Sequence, residues 1–299
     1  GCNPANTVSD QQLIIRGLER EDLFTVVHER FMTDTARYAD ILLPATFSVE
    51  QTDIYRAYGY CTLGTGRKLV DAPGECKSNW DTFCLLAKGM GYSDDYFDRS
   101  EDEMLDILLS HPTKAIAETS DEVKETLRQG GSVVLPFSDH LAFGTETGKM
   151  MIVNEKLAEP MPHYTADYSA KCQDWPLHLV AAPSVWSLNS TFLDREQLMT
   201  SRKGMTLWLN PEDAKVRKIE DGMPVIAFNE LGEVQFTACI DQRVAVGNAV
   251  SEGVFASHQT QNGCGFNTLT HGRLSDIGAA TTMNDNRIDI RPLSIEDSR

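Results

Sequence analysis

Apolar positions fall into short runs separated by turn-forming pairs, and none approaches the stretch of about 18 that a membrane span requires. Even Leu177–Trp186 is interrupted by a histidine and a serine. Residues 11–19 read as a short helix, and Leu23–Val27 is a β-leaning run that predicts a buried parallel strand. Residues 33–38 predict a helical turn with Thr33 as its cap. Ile41–Leu43 predict a second short strand, stopped by Pro44. Helix, strand, turn and strand in this order read as α/β in the doubly wound style. Residues 52–76, rich in Gly and Tyr and without a clear period, read as a loop. Ser78 caps a predicted helix with Phe83, Leu86 and Met90 behind it, and Gly89 and Gly91 end it. Two amphipathic helices follow, around 101–110 and 119–129, broken at His111-Pro112 and closed by Gly130-Gly131.

The texture changes at Pro176. Strand-like runs recur at Leu177–Ala181, Thr206–Leu209, Pro224–Asn229, Val234–Ile240 and Ala249–Ala256, and turn signals such as Asp221-Gly222 separate them. Short strands at this spacing predict a small β-barrel, with one short helix after Asn210-Pro211. The predicted organisation is a Rossmann-like α/β part over 1–92, a helical and irregular connector over 93–175, and a barrel over 176–295.

Charge and cysteine content narrow the chemistry. The net charge of −17, from 27 basic and 44 acidic residues, argues against nucleic acid as a partner, because phosphate contacts need Lys and Arg. A phosphate-bearing cofactor stays open, since backbone amides and helix starts hold anions without net positive charge. The seven cysteines contain no C-x-x-C, so no zinc or iron–sulfur signature lies within the chain. Most are expected to be buried small hydrophobes, Cys264 among them as a packed thiol, and a reducing compartment fits. Neither G-x-G-x-x-G nor the P-loop pattern occurs, which disfavours an ordinary nucleotide-binding α/β enzyme.

Five motifs carry candidate chemistry. Asn3-Pro4-Ala5-Asn6-Thr7 contains a turn-forming pair. His28-Glu29-Arg30-Phe31-Met32-Thr33-Asp34-Thr35-Ala36, running on to Ala39-Asp40-Ile41-Leu42-Leu43-Pro44, places an acid directly after the first strand-like run. Thr145-Glu146-Thr147-Gly148-Lys149 is a turn in which Gly148 takes the bend. Leu188-Asn189-Ser190-Thr191-Phe192 is a polar loop, readable equally as an ST turn or a helix cap. Gly265-Phe266-Asn267-Thr268-Leu269-Thr270, followed by Ser275-Asp276-Ile277-Gly278, is a glycine-rich barrel loop. Glu50 and Asp53, three apart beside Tyr55, Tyr58 and Tyr60, read as ordinary loop charges rather than an acid–base pair.

In this order the motifs resemble the C-terminal portion of the molybdopterin oxidoreductases of the dimethyl-sulfoxide-reductase family: part of the third domain, then the dinucleotide-binding domain with its double-psi-type β-barrel. The stretch from Glu29 to Pro44 carries the most specific likeness, although the family more often has Asp where this chain has Glu29. Asn210-Pro211-Glu212-Asp213-Ala214 and Asp221-Gly222 match the family's barrel as architecture rather than as ligands. The resemblance implies molybdopterin guanine dinucleotide, as the bis form with Mo or W, bound in part by this chain. It assigns Asn3, Pro4, Asn6, Thr7, Thr33 and Thr35 to the nucleotide, with Glu29 accepting from guanine. It assigns Asn189, Ser190, Asn267 and Thr268, with Asp276 as a weaker candidate, to the pterin. The polar loops after Leu179 and before Leu269 are expected to be exposed and to gather with Glu29 around the cofactor.

The family's protein ligand to the metal and its 4Fe-4S cysteines lie N-terminal to this region. No catalytic or metal-ligating residue is therefore expected here. Gly1, rather than Met, opens the chain inside the first motif, as in a truncated product that is inactive alone. The implied partners are the missing N-terminal domains and an electron-transfer subunit, with no nucleic acid and no direct membrane insertion. The implied location is cytoplasmic, or periplasmic if a twin-arginine signal precedes. The alternative is a non-catalytic cofactor- or partner-binding module of the same fold.

Overall fold

The computed structural model describes residues 2–110, 120–135, 142–157, 159–161, 163–164, 174–202, 204–275 and 278–294. The predicted break at His111-Pro112, Cys172 and Asp276 lie outside them. The chain forms two units, 1–42 with 165–299 and, separately, 43–164. This differs from the division read from the sequence. The first segment hydrogen-bonds to the loops of the barrel, and part of the expected connector shares a core with Leu63, from the part read as α/β.

In the first segment, the one-turn helix Pro4–Thr7 precedes the helix Gln11–Leu18, as predicted for 11–19. Strands β1 (Val26–Glu29) and β2 (Ile41–Pro44) pair in a two-stranded sheet, with the 3-10 turn Thr35–Tyr38 between them. Asp40 ties the ends together: its carboxylate accepts from Thr25 N at 2.6 Å, and its own N–H donates to Thr25 O at 2.9 Å. The expected buried strand at Leu23–Val27 starts instead at Val26, and Leu23, Phe24 and Val26 are exposed. An apolar run reveals β propensity, not the number of layers that cover it.

The second unit corrects the predicted loop at 52–76. Strands β3 (Asp53–Arg56) and β4 (Thr62–Gly66) form an antiparallel hairpin with Ile54 opposite Thr65, and β5 (Ser132–Val134) adds to the far edge of β4. Leu63 and Thr65 alternate into the core of this unit, while Gly64 between them and Gly66 after them hide the period. Leu63 packs with Leu105, Leu109 and Leu127 from the helices Glu101–Ser110 and Asp121–Arg128. The helix Asn79–Gly89 is capped as predicted, Ser78 Oγ accepting from Asp81 N at 3.1 Å. Its buried residues are Thr82 and Cys84, and Phe83, Leu86 and Met90 are exposed.

From Leu177 the chain closes a six-stranded barrel in the order β10-β6-β11-β8-β9-β7. Its strands are β6 (Leu177–Ala182), β7 (Thr206–Leu209), β8 (Pro224–Asn229), β9 (Gly232–Ile240), β10 (Asn248–Glu252) and β11 (Asn286–Pro292). The pairs β10–β6 and β7–β9 are parallel, and the rest are antiparallel. The first five strands were legible as runs, though β10 ends at Glu252 rather than Ala256. The sixth was missed because Asn286 takes an inward position before Ile288 and Ile290, which breaks the apolar alternation. Inward side chains of all six strands, among them Leu179, Leu207, Phe236, Ala249 and Ile288, fill one core. The helix Glu196–Arg202 between β6 and β7 was also not predicted.

The family-like barrel motif works as architecture. Asn210 caps the helix Pro211–Val216, its Oδ1 accepting from Glu212 N at 2.9 Å and its Nδ2 donating to Val244 O at 2.7 Å. Asp213 accepts from Gly247 N at 2.7 Å, and Asp221 accepts from Ile240 N at 2.8 Å. Among the described residues no helix is long and apolar enough to cross a membrane.

Phe236 is fully buried at the centre of the barrel core. Phe236→Ala is expected to destabilise the barrel by about 3–5 kcal/mol, measured as a fall in the urea midpoint at unchanged slope. A cost below about 1 kcal/mol would contradict the packing described here.

Candidate functional site

The first motif folds into a tight polar corner. Pro4 sits at the first helical position, where its fixed φ and missing N–H cost nothing. Asn3 and Asn6, one turn apart, both point inward, and Asn3 Nδ2 donates to Asn6 Oδ1 at 2.7 Å. Asn3 Oδ1 accepts from Thr35 Oγ1 at 2.7 Å and from Thr35 N at 3.2 Å, and Thr35 Oγ1 also accepts from Ala5 N at 3.0 Å. Asn6 Nδ2 donates to Asp34 Oδ2 at 2.9 Å and to Phe255 O at 2.8 Å. Asp34 in turn receives Ser257 N at 2.6 Å and Ser257 Oγ at 2.9 Å. Asn267 Nδ2 donates to Asn6 O at 2.8 Å. Gln11 closes the other side: its Oε1 accepts from Gly265 N and Thr268 Oγ1, both at 3.0 Å, and its Nε2 donates to Ala5 O. Gly265 permits this approach, because a Cβ there would stand 2.9 Å from Gln11 Oε1. Residues some 250 positions apart in sequence are thus joined in one buried seam.

The seam uses five of the predicted ligand residues as structure. Asn3, Asn6, Thr35, Asn267 and Thr268 are all buried, with Asn267 and Thr268 each 1% exposed. The loop before Leu269 is therefore not the exposed polar loop that the family resemblance implied. A polar side chain removed from water must find partners inside, and these find them in the N-terminal segment. Thr7 Oγ1 donates to Asn3 O at 3.0 Å, and Thr33 Oγ1 accepts from Ala36 N at 3.2 Å, although Asp34 rather than the expected Thr33 is the N-cap of the 3-10 turn.

The remaining candidates are more accessible. Glu29, half-buried, ends β1, five residues before the seam's Asp34, and its Oε1 accepts from the next amide, Arg30 N, at 2.8 Å. In the loop after β6, Asn189 is exposed in the left-handed region at φ +50°, and Ser190 is half-buried. This loop connects to the seam through two ties. Gln259 Nε2 donates to Leu193 O at 2.5 Å. Arg202 donates to Ser187 Oγ at 3.3 Å, to Val254 O at 2.7 Å and to Glu252 O. Segment 252–259 thus contacts the loop after β6 on one side and Asn6 and Asp34 on the other.

Sequence reasoning did not single out Asp34, Gln11, Ser257 or Arg202. Asp34 lies within a quoted motif, where its neighbours drew the assignment. Gln11 reads as an ordinary helix start. Arg202 has no local signal, since its partners lie 15, 50 and 52 residues away. Of the cysteines, Cys84 alone is buried among the described residues, so most are less enclosed than expected. Cys264 receives a weak contact from Gln12 Nε2 at 3.7 Å, and burial pushes its thiol pKa up, as expected of a packed thiol. Lys149 is exposed after the bend at Gly148, where φ is +64°.

Residues 1–89 match the molybdopterin oxidoreductase family, and residues 177–286 match the molybdopterin dinucleotide-binding domain. A probable oxidoreductase of Bacillus subtilis, YoaE, is 35% identical over 97% of this chain and 43% of its own length. The dimethyl sulfoxide reductase DmsA of Escherichia coli is 27% identical over 89% of this chain and 37% of its own. The trimethylamine-N-oxide reductase of Haemophilus influenzae is 26% identical over 85% and 35%. The chain therefore spans less than half the length of these relatives. Among solved structures, acetylene hydratase from Pelobacter acetylenicus superposes with a TM-score of 0.79 at 17% identity, covering 98% of this chain and 43% of that one, a likeness of fold. On the two matched regions and these relatives, the chain belongs to the molybdopterin oxidoreductases of the dimethyl sulfoxide reductase family and carries their dinucleotide-binding barrel.

Proposed function

We propose that this chain supplies part of the cradle for bis(molybdopterin guanine dinucleotide) in a molybdenum or tungsten oxidoreductase, and that it is inactive without the rest of that enzyme. The observation that carries the reading is the buried seam, which fixes the first segment and the 252–268 region as one frame. The accessible polar candidates are Glu29, five residues before Asp34 on the first segment, and Asn189 and Ser190 on the loop tied to segment 252–259. Such a donor and acceptor set suits a large polar nucleotide. When bound, the cofactor supplies two-electron redox chemistry, including oxygen-atom transfer, at its metal.

The chain's own residues bind and orient. Glu29 would accept from guanine N–H groups. Asn189, Ser190 and the amides beside them would meet the pterin. Asn3, Asn6, Thr35, Asn267 and Thr268 would act through the backbone they hold rather than by their side-chain tips. The metal's protein ligand, a 4Fe-4S cluster and the docking site of an electron-transfer subunit belong to the remainder of the enzyme in this reading.

Two measurements test it. The isolated chain is expected to hold no molybdenum and to show no dye-linked reductase activity, whereas the longer parent shows both; robust turnover by the chain alone would refute the assignment. In the parent, Glu29→Ala is expected to lower guanine nucleotide retention about tenfold or more, as for loss of hydrogen bonds to a charged acceptor. The readout is GMP released by acid hydrolysis per mole of protein, and unchanged release would remove Glu29 from the site.

A further inference from the structure

We propose that Arg202 is a positioning residue for the cofactor site: its guanidinium sets the loop Ser187–Phe192 against segment 252–257 and so aims Asn189, Ser190 and their amides. The inference rests on the function proposed above.

Arg202 ends the helix Glu196–Arg202 and is only 7% exposed. Its partners are neutral and come from two separate stretches: the Ser187 hydroxyl on one side, and the Val254 and Glu252 carbonyls on the other. The planar group also lies over the Phe255 ring, 3.5 Å from its centroid. Phe255 O is the acceptor of Asn6, and Ser257 is the donor to Asp34, so whatever moves this segment moves the seam. The planar fork of arginine reaches three acceptors on two segments through Nη1 and Nη2, which an ammonium at a single point does not.

The surroundings are shaped for this group. Gly253 has φ +57°, and a Cβ there would stand 2.7 Å from Arg202 Nη2. Arg202 Nε has no hydrogen-bond partner among the described residues. Burial lowers the guanidinium's pKa to about 10, against the opposing pull of Glu252, and leaves it charged at neutral pH. A buried cation satisfied by neutral acceptors is a poor choice for stability alone. Holding a ligand loop in register gives it a use, as outer partners do for the groups that touch a cofactor.

The test uses the longer parent enzyme with Arg202→Met, Arg202→Lys and Gly253→Ala. Amide hydrogen exchange reads loop order, and pterin content reads cofactor retention. Arg202→Met is expected to speed exchange several-fold in 187–193 and 252–257 while β7, β8 and β9 stay protected, and to lower pterin content about tenfold or more. Arg202→Lys should recover part of both. Gly253→Ala, which displaces the guanidinium, should reproduce Arg202→Met and carries the test if that variant fails to fold. Unchanged loop exchange, or a loosened loop with wild-type pterin content, overturns the positioning role. A wild-type parent without pterin overturns the cofactor reading itself, and this role with it.

Discussion

The Asp34 carboxylate, gripped by Asn6 on one side and by Ser257 on the other, is the contact on which the arrangement of the first unit depends. It is buried, and it joins the start of the chain to a loop more than 200 residues later. An isolated buried carboxylate is costly, and one saturated by short charge-assisted hydrogen bonds is strongly directional. The rest of the seam grows from it: Asn3 and Thr35 lock the corner, and Asn267, Thr268 and Gln11 lock the barrel loop onto it. Such a network specifies one register, because a shift of one residue leaves several polar groups buried without partners.

This division of labour changes how the family-like motifs are read. The polar residues that look most like ligands are largely spent on holding the frame. Glu29, Asn189 and Ser190 are more accessible, Glu29 five residues before Asp34 and the other two on a loop tied to segment 252–259. In the proposed reading, order in the frame and access at these three groups belong together, because a large cofactor is held well only by groups whose own positions are fixed. The barrel has the same logic. Asn210, Asp213 and Asp221 each bond to backbone of a segment 19 to 34 residues further along the chain, and the apolar core is left to the inward positions of the strands.

The second unit is built differently. Its small leucine core, from the hairpin and the helices Glu101–Ser110 and Asp121–Arg128, is drawn from the stretch Leu63 to Leu127, and the helix Asp121–Arg128 follows ordinary capping rules. The hairpin escaped notice because Gly64 and Gly66 occupy the outward positions of β4, so the alternation that marks a strand was carried by two residues.

The sequence by itself determined the class of the fold, the capped starts of the helices after Ser78 and Asn210, five of the six barrel strands and the family, because these depend on local periodicity, turn chemistry and motif spacing. Only the tertiary structure decided that β11 closes the barrel, that residues 1–42 group with it, and that Asn267 and Thr268 are buried while Asn189 is exposed. The physical reason is that a polar side chain carries no mark of its partner. An asparagine satisfied by a carbonyl some 260 residues away and one open to solvent read alike until the chain brings the acceptor to it.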